Sequence, residues 1–137
     1  MVIDQLSVFL ENRAGMLVDV TEQLAEAEID IQALTIADTA EFGVLRFIVD
    51  SPKKALSVLK LNGFTATITP VIALKMQNMP GSLARITRTL ADAEISIEYL
   101  YACVASVGDS AFVILRVEDI DAAVKLLTEK GYEAYRT

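Results

Sequence analysis

The sequence predicts an α+β fold built from two copies of one βαββαβ unit. Three features of the chain point there. An internal repeat covers nearly its whole length. Apolar residues alternate with period two in some segments and recur with helical spacing in others. These segments follow one another in the same order twice. The repeat aligns residues 11–34 with 77–100 at an offset of 66: Asn12 falls on Asn78, Gly15 on Gly81, Leu17 on Leu83 and Thr21 on Thr87. Leu24, Ala25, Ala27 and Glu28 fall on Leu90, Ala91, Ala93 and Glu94, and Ile29, Ile31 and Leu34 on Ile95, Ile97 and Leu100. A two-residue insertion in the next turn moves the offset to 68, and Gly63-Phe64 then falls on Gly131-Tyr132. Such a period marks a duplicated structural unit.

The first unit opens with a strand at about residues 2–10, in which Leu6, Val8 and Leu10 alternate with Ser7 and Phe9. Ile72, Leu74 and Met76 repeat the pattern. A helix follows at about 15–28. Its stripe is Leu17, Val20, Leu24 and Ala27, with Asp19, Glu22, Gln23 and Glu26 toward water. Its counterpart carries Leu83, Ile86, Leu90 and Ala93. Next come strands at about 29–38 and 42–50, the second with Leu45, Phe47 and Val49 inward, matched by Val113, Leu115 and Val117. Ser51-Pro52 opens a second helix, since serine suits an N-cap and proline the first helical position. Gly63 ends it at a left-handed cap, and residues 64–69 form the last strand. This is the split βαβ, or ferredoxin-like, pattern: an antiparallel four-stranded sheet with both helices on one face. The domains expected are 1–70 and 71–137. Pro70, at the join, is expected to break the chain direction, because proline cannot donate to a ladder. With no linker between them, the units are expected to pack rigidly together.

Composition narrows the function classes. Hydrophobic residues make up 53% of the 137, so the apolar excess has to meet other protein, within the chain or in an oligomer. No apolar run approaches the ~20 residues of a bilayer span, and Met1-Val2-Ile3-Asp4-Gln5 lacks the basic region of a signal peptide. No membrane role is expected. The net charge of −7 repels phosphate backbones and argues against nucleic acid. The single cysteine, Cys103, excludes an internal disulfide and points to the cytoplasm. There is no histidine, which removes the commonest general base and metal ligand. No paired catalytic carboxylates or metal cluster stand out. The expectation is a protein that is not an enzyme, with no cofactor and no metal.

The stretch Gln77-Asn78-Met79-Pro80-Gly81-Ser82-Leu83 reads as strand end, tight turn and helix start. It occurs once more as Glu11-Asn12-Arg13-Ala14-Gly15-Met16-Leu17. A turn of this kind aims free N–H groups into a small space, where an anion gains hydrogen bonds and the favourable end of the helix dipole. Gly81 permits a backbone that other residues resist and lets a ligand come close. Two readings stay open on these residues alone: a pocket for the carboxylate of a small molecule, or a water-capped helix whose Asn78 and Ser82 serve the turn.

With Asn-x-x-Gly-x-Leu after the first strand and Ile-x-Ile opening the second, the chain resembles the ACT domain, a regulatory amino-acid-binding module of amino-acid metabolism. The residues that carry the likeness are Asn12, Gly15 and Leu17 with Ile29-Asp30-Ile31, and Asn78, Gly81 and Leu83 with Ile95-Ser96-Ile97. The resemblance implies that two domains pair side by side into one eight-stranded sheet. It also implies an amino acid bound where the first βα loop of one domain meets the second strand's start in its neighbour. The implied ligand-binding residues are Asn12, Ala14, Gly15, Met16, Leu17, Asp30 and Ile31 in the first unit. In the second they are Asn78, Met79, Pro80, Gly81, Ser82, Leu83, Ser96 and Ile97. Asp30 is suited to an α-ammonium, Ser96 only to a neutral hydrogen bond. Ala14 stands where the other loop has Pro80, so the two sites are expected to be unequal.

Tyr99 and Tyr101 share a face of one strand with Cys103 and serve either a subunit contact or a ligand wall; Cys103 reads as a small apolar filler rather than a nucleophile, with no histidine to activate it. Arg46 and Arg116 read as surface or interface charges, and Met76 and Met79 as core packing or pocket padding. The function implied is a stand-alone ACT pair that binds an amino acid, forms a homodimer and regulates a separate metabolic enzyme. The alternative is a ligand-free protein-interaction module that keeps the pair only for dimerisation.

Overall fold

A computed structural model describes residues 1–11, 13–38, 42–104 and 110–135. Among these the elements run β1 (Val2–Glu11), α1 (Met16–Glu26), β2 (Ile31–Asp38), β3 (Phe42–Val49), α2 (Pro52–Leu61), β4 (Thr65–Gln77), α3 (Ser82–Asp92), β5 (Ile97–Val104), β6 (Ser110–Val117) and α4 (Ile120–Glu129). The chain divides into two compact units. The N-terminal unit is Asp4–Thr69; the C-terminal unit joins Met1–Ile3 to the chain from Pro70 onward.

In the N-terminal unit the strand order is β2-β3-β1-β4. β3 runs antiparallel to both β1 and β2, with Leu6 opposite Phe47 and Leu34 opposite Phe47 on its other side. Leu6, Val8 and Leu10 point to one face with Leu45, Phe47 and Val49. There they meet Val20 and Leu24 of α1 and Ala55 and Leu59 of α2. The C-terminal unit repeats this arrangement: Ile72 and Leu74 of β4 and Val113, Leu115 and Val117 of β6 pack against Ile86 and Leu90 of α3 and Ala123 and Leu127 of α4. At the repeat offsets these are the same positions. Each fully buried leucine among them contributes about 2 kcal/mol by leaving water.

Both helical stripes need correcting at their start, and the second also at its end, where Ala93 is exposed. Val20, Leu24, Ile86 and Leu90 are buried as expected, but Leu17 and Leu83 are 39% and 37% exposed. They lie in the first helical turn, where in α1 it is Met16 that packs against the core.

The ends of the second helices follow the sequence closely. Pro52 occupies the first turn of α2. After the helix Gly63 takes φ 83°; its N–H donates to Lys60 O at 3.1 Å, and that of Phe64 to Leu59 O at 3.0 Å. This is a Schellman closure. Ser51, however, gives α2 no side-chain cap, whereas its counterpart Asp119 accepts from the Ala122 N–H at 3.0 Å. The first helices of the two units close the same way, but on glutamate. Glu28 and Glu94 both sit at φ 57°, and Ile29 and Ile95 donate to Leu24 O and Leu90 O at 2.9 Å. The helix expected to reach residue 28 therefore stops at Glu26.

The expected break at Pro70 is absent. β4 runs as one strand from Thr65 to Gln77. Proline forfeits only an N–H, which an exposed position tolerates, and the Pro70 carbonyl accepts from Arg116 Nη1 at 2.9 Å. Arg116 also pairs with Glu98 at 3.5 Å, so its guanidinium links β6 to β5 and β4. The last strand of the second unit shrinks to a single bridge, Leu74 with Ala134. Among the described residues there are thus six named strands where the repeat suggests eight.

Candidate functional site

Each unit turns from strand to helix through nearly the same backbone. Gly15 caps α1 at φ 90°, ψ −14°, and Gly81 caps α3 at φ 90°, ψ −13°. This left-handed conformation costs any residue with a Cβ. The hydrogen bonds match as well. Arg13 N–H donates to Glu11 O and Met79 N–H to Gln77 O, both at 2.9 Å; Asp19 N–H donates to Gly15 O and Arg85 N–H to Gly81 O, both at 3.0 Å. Neither helix takes a side-chain cap among the described residues. The N–H groups of Leu17 and Val18, and of Leu83 and Ala84, stand at the open helix start, at the positive end of the dipole.

Of the residues expected to bind a ligand, Asn12 lies outside the described residues. Ala14, Gly15 and Leu17 are exposed, as are Asn78, Met79, Pro80, Gly81 and Leu83, while Met16 and Ser82 are half-buried. Asp30 is exposed, and its backbone is clasped to Asp50: Asp30 N–H donates to Asp50 Oδ1 at 3.2 Å and Asp50 N–H to Asp30 O at 3.3 Å. Ile31 opens β2; Ser96 is exposed and Ile97 opens β5. Within a unit these two sets do not meet. Gly15 lies at one end of α1 and Asp30 beyond the other, and an 11-residue helix is about 16 Å long. The same holds for Gly81 and Ser96 across α3. Tyr99, Tyr101 and Cys103 do share one face of β5, opposite Arg116, Ile114 and Phe112, and all three are half-buried.

Beside each corner lies an open cleft. In the C-terminal unit a cleft of about 380 Å³ is lined by the end of β4, the start of α3 and the turn after α4, with Lys75, Gln77, Ser82, Arg85, Tyr132 and Glu133 as its polar side chains. In the N-terminal unit one of about 480 Å³ lies at the equivalent place, with Phe9, Glu11, Arg13, Asp19, Phe42 and Phe64 among its walls. Eight lining positions correspond across the repeat. Lys75 pairs with Glu133 at 3.4 Å and Arg13 with Glu11 at 3.0 Å; these pairs are exposed and contribute little to stability. Tyr132 is fixed by a hydrogen bond of its hydroxyl with Thr89 Oγ1 at 3.0 Å.

From the sequence Asp19 reads only as part of a water-facing stripe, and Arg85 carries no signal of its own. Their place in the clefts needs the second helix of each unit, whose closing turn forms the far wall. A legible signal did exist: at the repeat offset an acid falls on a base.

The ACT domain pair model matches residues 1–135. The chain belongs to the ACT domain pair family. Among solved structures, this ACT pair is similar to a protein from Bacteroides thetaiotaomicron, at 41% identity and a TM-score of 0.93, covering 98% of this chain and 92% of that one. It shares its fold with the ligand-free regulatory subunit of aspartate kinase from Thermus thermophilus, at 19% identity and a TM-score of 0.69, covering 96% and 97%. The regulatory subunit of aspartate kinase from Thermus flavus gives 15% identity and a TM-score of 0.63, covering 94% of each chain. No match was found among curated proteins. Among the described residues no helix is long and apolar enough to cross a membrane.

Proposed function

We propose that this ACT pair is a cytoplasmic regulatory protein, not itself an enzyme, that binds an amino acid and passes the binding event to a separate metabolic enzyme. Each unit is taken as one ACT domain, dividing near residue 70. The observation that carries the reading is the twice-built corner: two glycines at φ 90° holding two helix starts open toward a zwitterion's carboxylate. The Gly15 corner and Asp30 lie at opposite ends of a helix. A complete site therefore takes its corner from one ACT domain and its strand start, Asp30-Ile31 or Ser96-Ile97, from a neighbouring one. Side-by-side pairing into an eight-stranded sheet, and a homodimer, belong to this reading. Exposed Leu17 and Leu83, next to the corners, suit burial against such a neighbour.

Regulation follows from linkage. A ligand that bridges two domains binds one of their packings better than the alternative and shifts the population toward it. A thermal-shift screen of the twenty amino acids tests the reading. At least one is expected to raise the melting temperature at millimolar concentration; no shift from any of them leaves the protein-interaction module as the better description.

A further inference from the structure

The two clefts occupy the same place in the repeat, yet their charges are reversed. In the N-terminal cleft Glu11 is matched by Arg13, which leaves the Asp19 carboxylate without an ion-pair partner among the described residues. In the C-terminal cleft Glu133 is matched by Lys75, which leaves the Arg85 guanidinium in the same condition. Asp19 and Arg85 are equivalent positions. Helix stability accounts for the first but not the second: an acid in the first turn suits the dipole, whereas a cation there opposes it. α3 has no acid in that turn to compensate. A residue that breaks a local rule without evident structural gain points to a contact outside the chain's own fold.

One further wall position differs in the same sense. Phe9, Phe42 and Phe64 line the N-terminal cleft, and aromatic faces attract organic cations. In the C-terminal cleft Lys75 stands where the other has Phe9, while Tyr132 keeps an aromatic ring at the place of Phe64. We infer that the two clefts discriminate ligands by charge: the one beside α1 takes an amino acid with a cationic side chain, the one beside α3 an amino acid with an anionic side chain. The inference rests on the reading above for the ligand being an amino acid, but not for the sign of its charge. One protein of this kind responds to two different metabolites rather than to one bound twice.

Amide NMR titration of the full chain tests this, with L-lysine, L-glutamate, n-butylamine and glutarate as probes. L-Glutamate is expected to move the resonances of Lys75–Gln77, Ser82–Ile86 and Gly131–Glu133, and L-lysine those of Phe9–Glu11, Met16–Asp19 and Gly63–Thr65. Arg85→Gln weakens glutamate roughly tenfold and leaves lysine unchanged, Asp19→Asn does the reverse, and both effects shrink in high salt. Probes that move both clefts alike, or variants that leave both affinities unaltered, overturn the charge assignment. If n-butylamine and glutarate divide between the clefts while no amino acid binds, the charge assignment stands and the amino-acid reading falls. If amino acids bind regardless of side-chain charge, the reverse holds.

Discussion

The corner at Gly15 and the corner at Gly81 share a backbone, while several of the side chains around it differ. Their dihedrals agree to within 1°, and the hydrogen-bond distances given above are the same in both. Yet Ala14 answers Pro80, Met16 answers Ser82 and Asp19 answers Arg85. What persisted after duplication is the geometry that only glycine supplies cheaply, together with the buried positions that hold it. What diverged is part of the exposed surface around each corner, although exposed Leu17 and Leu83 kept their identity. A duplicated fold thus keeps one way of presenting amide hydrogens while changing side chains beside them.

That comparison can be broken most sharply at the glycines. A Cβ on Gly15 or Gly81 meets nothing within 4 Å, so the cost of valine there is conformational, about 1–2 kcal/mol. Gly81→Val is expected to leave the chain folded by circular dichroism and to abolish amino-acid binding at its own corner only, read by titration against Gly15→Val. Unchanged affinity in either variant would detach that corner from binding. The second helices sharpen the contrast. Asp119→Ala removes a made cap and costs about 1 kcal/mol, whereas Ser51→Ala removes none and costs at most a few tenths, measured by urea denaturation. The smallest effect has the opposite sign. Glu28→Gly and Glu94→Gly relieve φ 57° and raise stability by roughly 0.5–1 kcal/mol each, less the extra chain entropy of glycine. Equal gains in the two variants mean that the strain is purely local.

Much of the fold was legible because burial and period coincide. Leu45, Phe47 and Val49 alternate in the sequence and are all buried in the structure. Leu24 and Leu90 fell on the helical stripe and are fully buried. The Schellman closure at Gly63 was legible because glycine announces it. The same closure at Glu28 was not: glutamate is a good helix former, and nothing in its local chemistry signals a left-handed residue. Pro70 misled because the rule against proline in a ladder concerns its missing N–H, while the carbonyl that Arg116 satisfies is set by tertiary structure. The corners were legible from the repeat. The clefts were not, since their far walls come from residues some fifty positions away, and no local pattern joins Arg85 to Glu133.

Ala73 gives its N–H to the Met1 carbonyl at 2.8 Å and receives the Tyr135 N–H at 3.0 Å. One residue in mid-chain is therefore held by segments from far before and far after it. During synthesis this flank of β4 waits for residues 133–135 to emerge from the ribosome, long after Ala73 itself. Until then the strand carries an open edge able to recruit a neighbouring nascent chain. Truncations or stalls ahead of residue 133 consequently threaten solubility even though every residue of both corners has already been made.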